Sequence, residues 1–410
     1  MQKKAFLCLV LACCLLFQAA AAFAAAPVQT EGITVPVMED LGNMKEYEVP
    51  ENDALALVRD MKCGWNLGNT FDAIYNDNRH DTSTQLETYW LGGAITTKGL
   101  FESLKEAGFN AIRIPVSWHN HVDENDVIDE AWLNRVKEVA GWVLDLGMYA
   151  IVNIHHDNNE SFFYPDQAHA ERTDKYMTSV WTQMAEAFRD CDDHLILESM
   201  NEPRLVNTSF EWYWDGNSDA CREAMERINE LNQKFVDIVR ASGGNNATRY
   251  LSLPSYDANP WYAANEAFRL PQDTAENRLI VAAHAYTPYN FALNTNSADK
   301  TFSIETDLDK KREITEFLNA LYDRYVSAGI PVIMDEFGAL DKGGNVQDRV
   351  NFTAFYTAAA SIHGITCFWW DNGNYSGGGE RFALINRRSL EWYYPDIVLA
   401  IMENCLLHRK

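Results

Sequence analysis

Short apolar runs and amphipathic segments alternate along the chain. Eight of the apolar runs have the length and character of strands covered on both faces, and we predict a strand at each. They are residues 63–68, 111–116, 149–155, 195–200, 250–253, 279–284, 331–335 and 366–370. Helical spacing of apolar residues predicts helices between them. These are residues 98–107, 130–146, 174–188, 219–241, 311–328 and 346–362, with a short helix near 260–268 and a last helix at 392–407.

Regular alternation of strand and helix predicts parallel strands with helices outside them. Eight such units over about 350 residues suit a (β/α)8 TIM barrel of the α/β class. The structural alternative is a doubly wound open sheet, but no G-x-G-x-x-G follows the first strand to favour a dinucleotide-binding version. We expect residues 27–58 to form a leader that packs on the barrel, and residues 59–410 to form the barrel as one domain.

The first 26 residues have the pattern of a secretory signal peptide. Lys3 and Lys4 precede an apolar run, and the small residues that end at Ala26 resemble an A-x-A cleavage site. The apolar run is too short for a membrane anchor. We therefore expect export, to the periplasm or the extracellular medium, without attachment to a membrane.

Charge and aromatic content narrow the range of partners. A formal net charge of -25 repels nucleic acid and anionic lipid, but it does not hinder a neutral polysaccharide. The chain also has 12 Trp, and an indole ring is a natural platform for the apolar face of a sugar, although many of these residues fit a core equally well. We expect a monomer that binds a polysaccharide.

Polar and aromatic residues recur where the predicted strands end. In a barrel, side chains at the carboxyl ends of the strands share one rim, so these residues are candidates for a common site. They are Asn66, Arg113, Trp118, His155, His156, Asn201, Glu202, His284, Tyr286, Glu336 and Trp370. A structural role explains any one of them, but chance explains seven strand ends poorly.

The two glutamates indicate the chemistry. Cleavage of a glycosidic bond needs one carboxylic acid to protonate the leaving oxygen and one carboxylate on the opposite side of the sugar, and Glu202 and Glu336 fit these parts. Arg113 and Tyr286 can hydrogen-bond a carboxylate and keep it ionised. Asn201 is placed to hold the 2-hydroxyl of the sugar. Because two nearby carboxyl groups separate each other's pKa values, we expect one to stay protonated at working pH.

Other polar residues near these ends have weaker claims to a function. The sequence His155-His156-Asp157 suggests a metal site, but adjacent side chains on a strand face opposite ways, so a pair that binds sugar is favoured. Asp335 and Glu198 are expected to support the site from behind. Trp370 is expected to form the floor of the cleaved subsite. Four further tryptophans are candidate platforms along a cleft, and loop packing explains each equally well: Trp90, Trp118, Trp212 and Trp214.

The motifs at the strand ends resemble those of a known family. They read G-W-N-L-G-N-T-F-D, G-F-N-A-I-R-I-P-V-S-W, I-V-N-I-H-H-D, L-E-S-M-N-E-P-R, H-A-Y-T-P-Y-N-F, V-I-M-D-E-F-G and F-W-W-D-N-G. Together, from about Met61 onward, the chain resembles bacterial glycoside hydrolase family 5. The resemblance is strongest to the branch of endo-β-1,4-glucanases, or cellulases, that includes xyloglucan-active members.

This resemblance implies a (β/α)8 barrel and retaining hydrolysis without a cofactor. It makes Glu202 the acid/base and Glu336 the nucleophile. The residues that it places around them are Arg113, His155, Asn201, His284, Tyr286 and Trp370. One departure is W-L-G-G after Tyr89, where related enzymes show W-G-N. Three alternatives stay open: a β-mannanase on the same barrel, a secreted carbohydrate-binding protein without activity, and a metallohydrolase.

Overall fold

The computed structural model describes residues 25–41 and 47–407. Most of the predicted signal peptide, residues 1–24, lies outside this range. The strands are β1 Gly64–Leu67, β2 Ala111–Ile114, β3 Tyr149–Asn153, β4 Leu195–Glu198, β5 Leu251–Pro254, β6 Leu279–His284, β7 Val332–Phe337 and β8 Thr366–Asp371. The helices are α1 Asp53–Asp60, α2 Lys98–Ala107, α3 Glu130–Asp145, α4 Ala170–Ala187, α5 Asp219–Ala241, α6 Pro260–Ala263, α7 Tyr289–Ala292, α8 Leu308–Arg324, α9 Val346–Ile362 and α10 Pro395–Asn404.

The eight strands form a closed parallel barrel in chain order, with β1 paired to β8. The predicted (β/α)8 fold is confirmed. The prediction placed some strand ends wrongly. It carried β3 to residue 155 and β4 to residue 200, but these strands end at Asn153 and Glu198, so the polar residues that follow them lie in the connecting segments. Helix α1, which the sequence analysis did not predict, begins inside the expected leader of residues 27–58 and ends two residues beyond it.

Helix α1 closes the amino-terminal end of the barrel. The side chain of Asn52 caps it by accepting a hydrogen bond from the Leu55 amide, and Thr366 of β8 donates to the Val58 carbonyl at 2.6 Å. Apolar residues from α1 and from the lower halves of the strands then pack together. We call them the lower cluster: Ala54, Val58, Met61, Ala111, Tyr149, Ile151, Ile196, Tyr250, Ile280, Ile333 and Phe368.

Gly64 shows how tightly the lower cluster is filled. A Cβ atom at this position would lie 2.0 Å from Cδ1 of Phe368, well inside van der Waals contact. The phenyl ring therefore occupies the space that any larger residue on β1 would need.

The segment before α1 packs on the outside of the barrel. The Thr30 amide donates to Asp396 and the Met38 amide to Asn404, each at 2.8 Å, so both contacts are with α10. Among the described residues, no helix is long and apolar enough to cross a membrane.

Candidate active site

The site is built on the second inward-facing position of the strands. Side chains alternate along a strand, so the residue two places after an inward apolar residue also points into the barrel. Six strands place a polar side chain there, directly above the lower cluster. We call this set the upper layer: Asn66, Arg113, Asn153, Glu198, Ser252 and Asp335, all fully buried.

Arg113 is the centre of the upper layer. Its Nε and Nη2 donate to the two carboxylate oxygens of Glu198, both at 2.7 Å. Nη1 donates to Glu336 at 2.6 Å and to Asn66 at 3.1 Å, and Nη2 donates to Asn201 Oδ1 at 2.7 Å. All five guanidinium protons therefore have an acceptor. Burial alone would lower the pKa of Arg113, but Glu198 and Glu336 raise it well above its usual value, so the charge is permanent.

Glu336 receives two donors. Besides Arg113, the Tyr286 hydroxyl donates to its Oε2 at 2.9 Å. Burial and the adjacent carboxylate raise the pKa of Tyr286 well above 10, so the phenol keeps its proton and acts as a donor. Each carboxylate oxygen therefore has its own donor, which fixes the orientation of the side chain. A register shift after Ala283 pairs His284 of β6 directly with Glu336 of β7, which brings the imidazole beside the carboxylate.

Glu202 lies four residues beyond the end of β4 and pairs with His284. Nδ1 of His284 is 2.7 Å from Glu202 Oε1. Burial would raise the pKa of Glu202, but the hydrogen bond and charge of His284, together with Arg204, lower it to about 2. Burial lowers the pKa of His284, but Glu336, Asp335 and Glu202 raise it to about 9. Both shifts favour the proton on His284 over Glu202 in the unliganded protein, because the imidazole lies among three carboxylates. That one glutamate stays protonated at working pH stays a prediction.

The two glutamates approach each other around this imidazole. One carboxylate oxygen of each and a ring nitrogen of His284 lie within 4.8 Å of one another. Retaining glycosidases place their carboxyl groups about 5 to 5.5 Å apart, whereas inverting enzymes need a wider gap for a water molecule. The arrangement therefore suits direct attack by one carboxylate.

The two histidines after β3 line the wall beside Trp370. The ring of His155 is nearly parallel to that of Trp370, with an interplanar angle of 6° and 5.9 Å between centroids. His156 lies 5.9 Å from the ring of Trp90, which is 36% exposed. Burial, with the neighbouring cations, lowers the pKa of His155 well below 6.5 and that of His156 to about 4, so both rings are neutral.

Asp157 does not join these histidines, which removes the metal-binding set that the sequence suggested. Its carboxylate accepts hydrogen bonds from the amides of Trp118 and His119 and from the Tyr176 hydroxyl. Within residues 25–41 and 47–407, two other groups bring three ligand atoms within 4.8 Å of one another. They are Asp72 with His155 and His156, and Glu202 with His284 and Glu336.

Three residues of the predicted common site are enclosed and do not reach the surface of the cleft. Asn66, Arg113 and Trp118 have no exposed surface, because the first two lie beneath the glutamates and the Trp118 indole donates inward to the Asn153 carbonyl. Trp214 is also buried and donates to the Cys221 carbonyl. Trp212, in contrast, is 61% exposed.

The structure adds three residues that the sequence analysis did not assign. Arg204 lies between Glu202, at 3.4 Å, and the Trp212 ring, at 3.9 Å from its centroid. It is the last residue of the motif that ends in N-E-P-R, which was the available signal. Asp257 has left-handed backbone with φ of +57°, and burial and Glu202 raise its pKa well above 3.8. Asn153 bonds both Glu198 and His155, and its position two residues before His155 was the signal for it.

Comparison with known proteins agrees with this geometry. The sequence model described as cellulase, glycosyl hydrolase family 5, matches residues 73–376. Endoglucanase 1 of Ruminococcus albus is 43% identical over 344 residues, which are 83% of this chain and 79% of that protein. Cellulase/esterase CelE of Acetivibrio thermocellus is 43% identical over 352 residues, and the match spans 85% of this chain but only 40% of that protein.

Solved structures give the same relationship. A family 5 lichenase from Caldicellulosiruptor sp. F32 superposes with a TM-score of 0.87 at 47% identity, covering 91% of this chain and all of the other. A match over most of the chain, at this identity and with one glutamate just after β4 and the other on β7, defines membership. The chain is a glycoside hydrolase that belongs to glycosyl hydrolase family 5, the cellulase family.

Proposed function

We propose that the protein is a secreted, retaining endo-β-1,4-glucanase that hydrolyses internal bonds of β-glucans. One observation carries the mechanism: Glu202 and Glu336 face each other across His284, with Glu336 held by Arg113 and Tyr286. Secretion is supported by the signal-peptide pattern of residues 1–26. The names of the related proteins support a β-glucan substrate.

In the first step, the Glu336 carboxylate attacks the anomeric carbon and the bond to the leaving sugar breaks. The leaving oxygen receives a proton from Glu202. Glu202 and His284 share one proton through the hydrogen bond between them. Arg113 and Tyr286 fix the orientation of Glu336 for this attack, and they stabilise its negative charge until the glycosyl ester forms. Glu202 then takes a proton from water, the water oxygen attacks the anomeric carbon, and the bond from that carbon to the Glu336 oxygen breaks, which releases the carboxylate.

The substrate side of the proposal covers cellulose, mixed-linkage β-glucan and xyloglucan. Trp370, 8% exposed, is the proposed floor of the cleaved subsite, with His155, His156 and Asn201 as hydrogen-bonding groups around it. Trp212, on the side of Glu202 and Arg204, is the proposed platform for the leaving sugars. His284 and Tyr286 act through the two glutamates.

Three measurements test this proposal. Reducing-sugar release from carboxymethylcellulose, barley β-glucan, xyloglucan and mannan should show activity on the glucans, and a preference for mannan would make the protein a β-mannanase instead. The first-formed product should keep the β configuration by NMR, and an inverted product would refute the covalent mechanism. Unchanged turnover in EDTA would remove the metallohydrolase alternative, and no turnover on any polymer would leave a binding protein.

A further inference from the structure

We infer that Asn153 is a positioning residue that fixes which nitrogen of His155 carries the proton, so that Nε2–H is presented as a donor to the sugar. The binding of a sugar by this donor rests on the proposed function. The hydrogen bonding between Asn153 and His155 does not depend on it. Asn153 ends β3 two residues before His155, and it is fully buried.

Two neighbours determine the orientation of the Asn153 amide, because one of them can only donate a hydrogen bond and the other can only accept one. The Val116 backbone amide can only donate, and it lies 3.0 Å from Oδ1. The Glu198 carboxylate, which accepts from Arg113 through both oxygens, lies 3.0 Å from Nδ2. A flipped amide would set N–H against N–H and oxygen against oxygen. Nδ2 therefore has to face Glu198.

The second proton of that Nδ2 group determines the state of His155. Nδ2 lies 3.2 Å from His155 Nδ1. Because Nδ2 is a donor, Nδ1 has to accept with its lone pair, and a neutral imidazole then carries its single proton on Nε2. Within the described ranges no hydrogen bond engages Nε2, and it is not among the enclosed polar atoms that lack a partner. It is therefore open to a ligand from the cleft.

The same buried carboxylate also orients a second donor. Glu198 anchors Arg113, and Arg113 Nη2 donates to Asn201 Oδ1 at 2.7 Å, which turns the Asn201 amide nitrogen away from the guanidinium. Glu198 thus acts on His155 through Asn153 and on Asn201 through Arg113. Both side chains therefore present an N–H donor, and a sugar hydroxyl that contacts either of them acts as the acceptor.

This tautomer also decides between sugar binding and metal binding at Asp72, His155 and His156. A metal ion needs an unprotonated nitrogen, and the one on His155 is occupied by Asn153. Ligation through Nε2 would require the proton to move to Nδ1, where it would face the Asn153 amide. The three side chains are close together, but the hydrogen-bond network favours a hydroxyl group over a cation.

The direct test is the tautomer of His155 in the wild-type protein. Long-range ¹H–¹⁵N correlation spectra distinguish the two imidazole nitrogens, and the His155→Gln variant assigns one signal among the 10 histidines. We expect a protonated Nε2 and an unprotonated Nδ1 near neutral pH. A protonated Nδ1 in the wild type would overturn the inference, even if hydrolysis proceeds as proposed.

Asn153→Asp tests the cause. The new carboxyl group presents a lone pair to His155 in either protonation state, since any proton it holds is drawn to Glu198. We expect the His155 proton to move to Nδ1 and kcat/KM to fall by roughly 10- to 100-fold, as is typical when the partner that orients a site residue is changed. The matched control is Asn229→Asp, a buried asparagine on α5 that bonds the Ala267 carbonyl and the Arg269 amide.

The outcomes separate this inference from the proposed function. An unchanged tautomer in Asn153→Asp, or a loss of activity no larger than in Asn229→Asp, contradicts the positioning role. The expected tautomers in a protein that hydrolyses no glucan would support the positioning role and refute the proposed function instead. Thermal unfolding of both variants shows how much of any loss in activity is due to a loss of folded protein.

Discussion

The interior of the barrel has two halves that differ in kind although they lie only two residues apart on each strand. Ile151, Ile196 and Ile333 point into the lower cluster, and the next inward residues on the same strands are Asn153, Glu198 and Asp335. The lower half is a dry apolar core that needs no specific partner. The upper half is polar, and the charges buried in it are tolerable because Glu198 and Asp335 lie beside the Arg113 guanidinium. Stability and chemistry are thus layered along the barrel axis.

This comparison predicts the largest effect on activity at Glu336. Glu336→Gln should lower kcat by roughly 10⁴-fold or more, because the glycosyl ester cannot form. The amide keeps the size of the side chain, its oxygen can still accept from Arg113, and its nitrogen can donate to the Tyr286 hydroxyl, so the unfolding temperature should change little. Activity of Glu336→Ala restored by azide, with an α-glycosyl azide as product, identifies the nucleophile. Turnover close to wild type would mean that another group attacks.

Replacing Arg113 should lower both the stability of the fold and the activity. Its removal leaves Glu198, Asp335 and Glu336 buried without their cation, so Arg113→Leu should cost about 3 to 5 kcal/mol of unfolding free energy as well as activity. Denaturant unfolding measures the loss. A variant as stable as the wild type would show that water reaches these carboxylates.

Ile333→Ala should separate the two halves in the opposite sense. Deleting buried methyl groups from the lower cluster should lower the unfolding free energy by about 2 to 4 kcal/mol. Well below the unfolding transition, kcat/KM should stay within about twofold of wild type, because the upper layer rests on its own hydrogen bonds. A large loss of activity in the folded variant would show that packing below controls the geometry above.

His284→Gln should give the smallest effect, on the pH dependence. In the wild type the pair of Glu202 and His284 loses its proton at about pH 9, which sets the alkaline limit of activity. Without the imidazole, the hydrogen bond and charge that lower the pKa of Glu202 are gone, and burial raises it. The alkaline limb of kcat/KM should therefore move to lower pH. A limb that stays near pH 9 would assign it to another group.

The same pair gives a signed prediction for stability. The pKa of His284 is raised in the folded protein from 6.5 to about 9, so its contribution is complete below pH 6.5 and is lost as the pH rises through 9. The difference in unfolding free energy between wild type and His284→Gln should shrink over this interval. A difference that grows with pH would reverse the assignment.

The sequence was sufficient for the barrel and for the placement of both glutamates. Strand and helix periods fix the fold, and parallel strands bring their carboxyl ends together, so Arg113 and Tyr286 were correctly expected to reach a carboxylate. The sequence could not show how deeply each side chain is buried. Trp118 and Trp212 look alike as loop tryptophans, but the first is enclosed and the second exposed, because only the packed loops decide which indole is covered.

The position of the proton was also beyond the sequence. Two carboxyl groups alone would divide one proton between them, and a third group at 2.7 Å changes the result. That contact depends on the irregular register between β6 and β7, which turns His284 toward Glu202. No periodicity in the chain shows such a shift.

The pairing of β1 with β8 gives the site a place in the order of folding. Asn66, which supports Arg113, donates to the carbonyls of Asp335 and Trp369, and the second of these contacts joins residues 303 positions apart. Contacts this distant along the chain form late, after local helices and neighbouring strands. The chain therefore cannot orient Arg113 fully until β8 has joined β1. Recovery of hydrolysis during refolding would then report closure of the barrel itself, whereas helix formation would report only its parts.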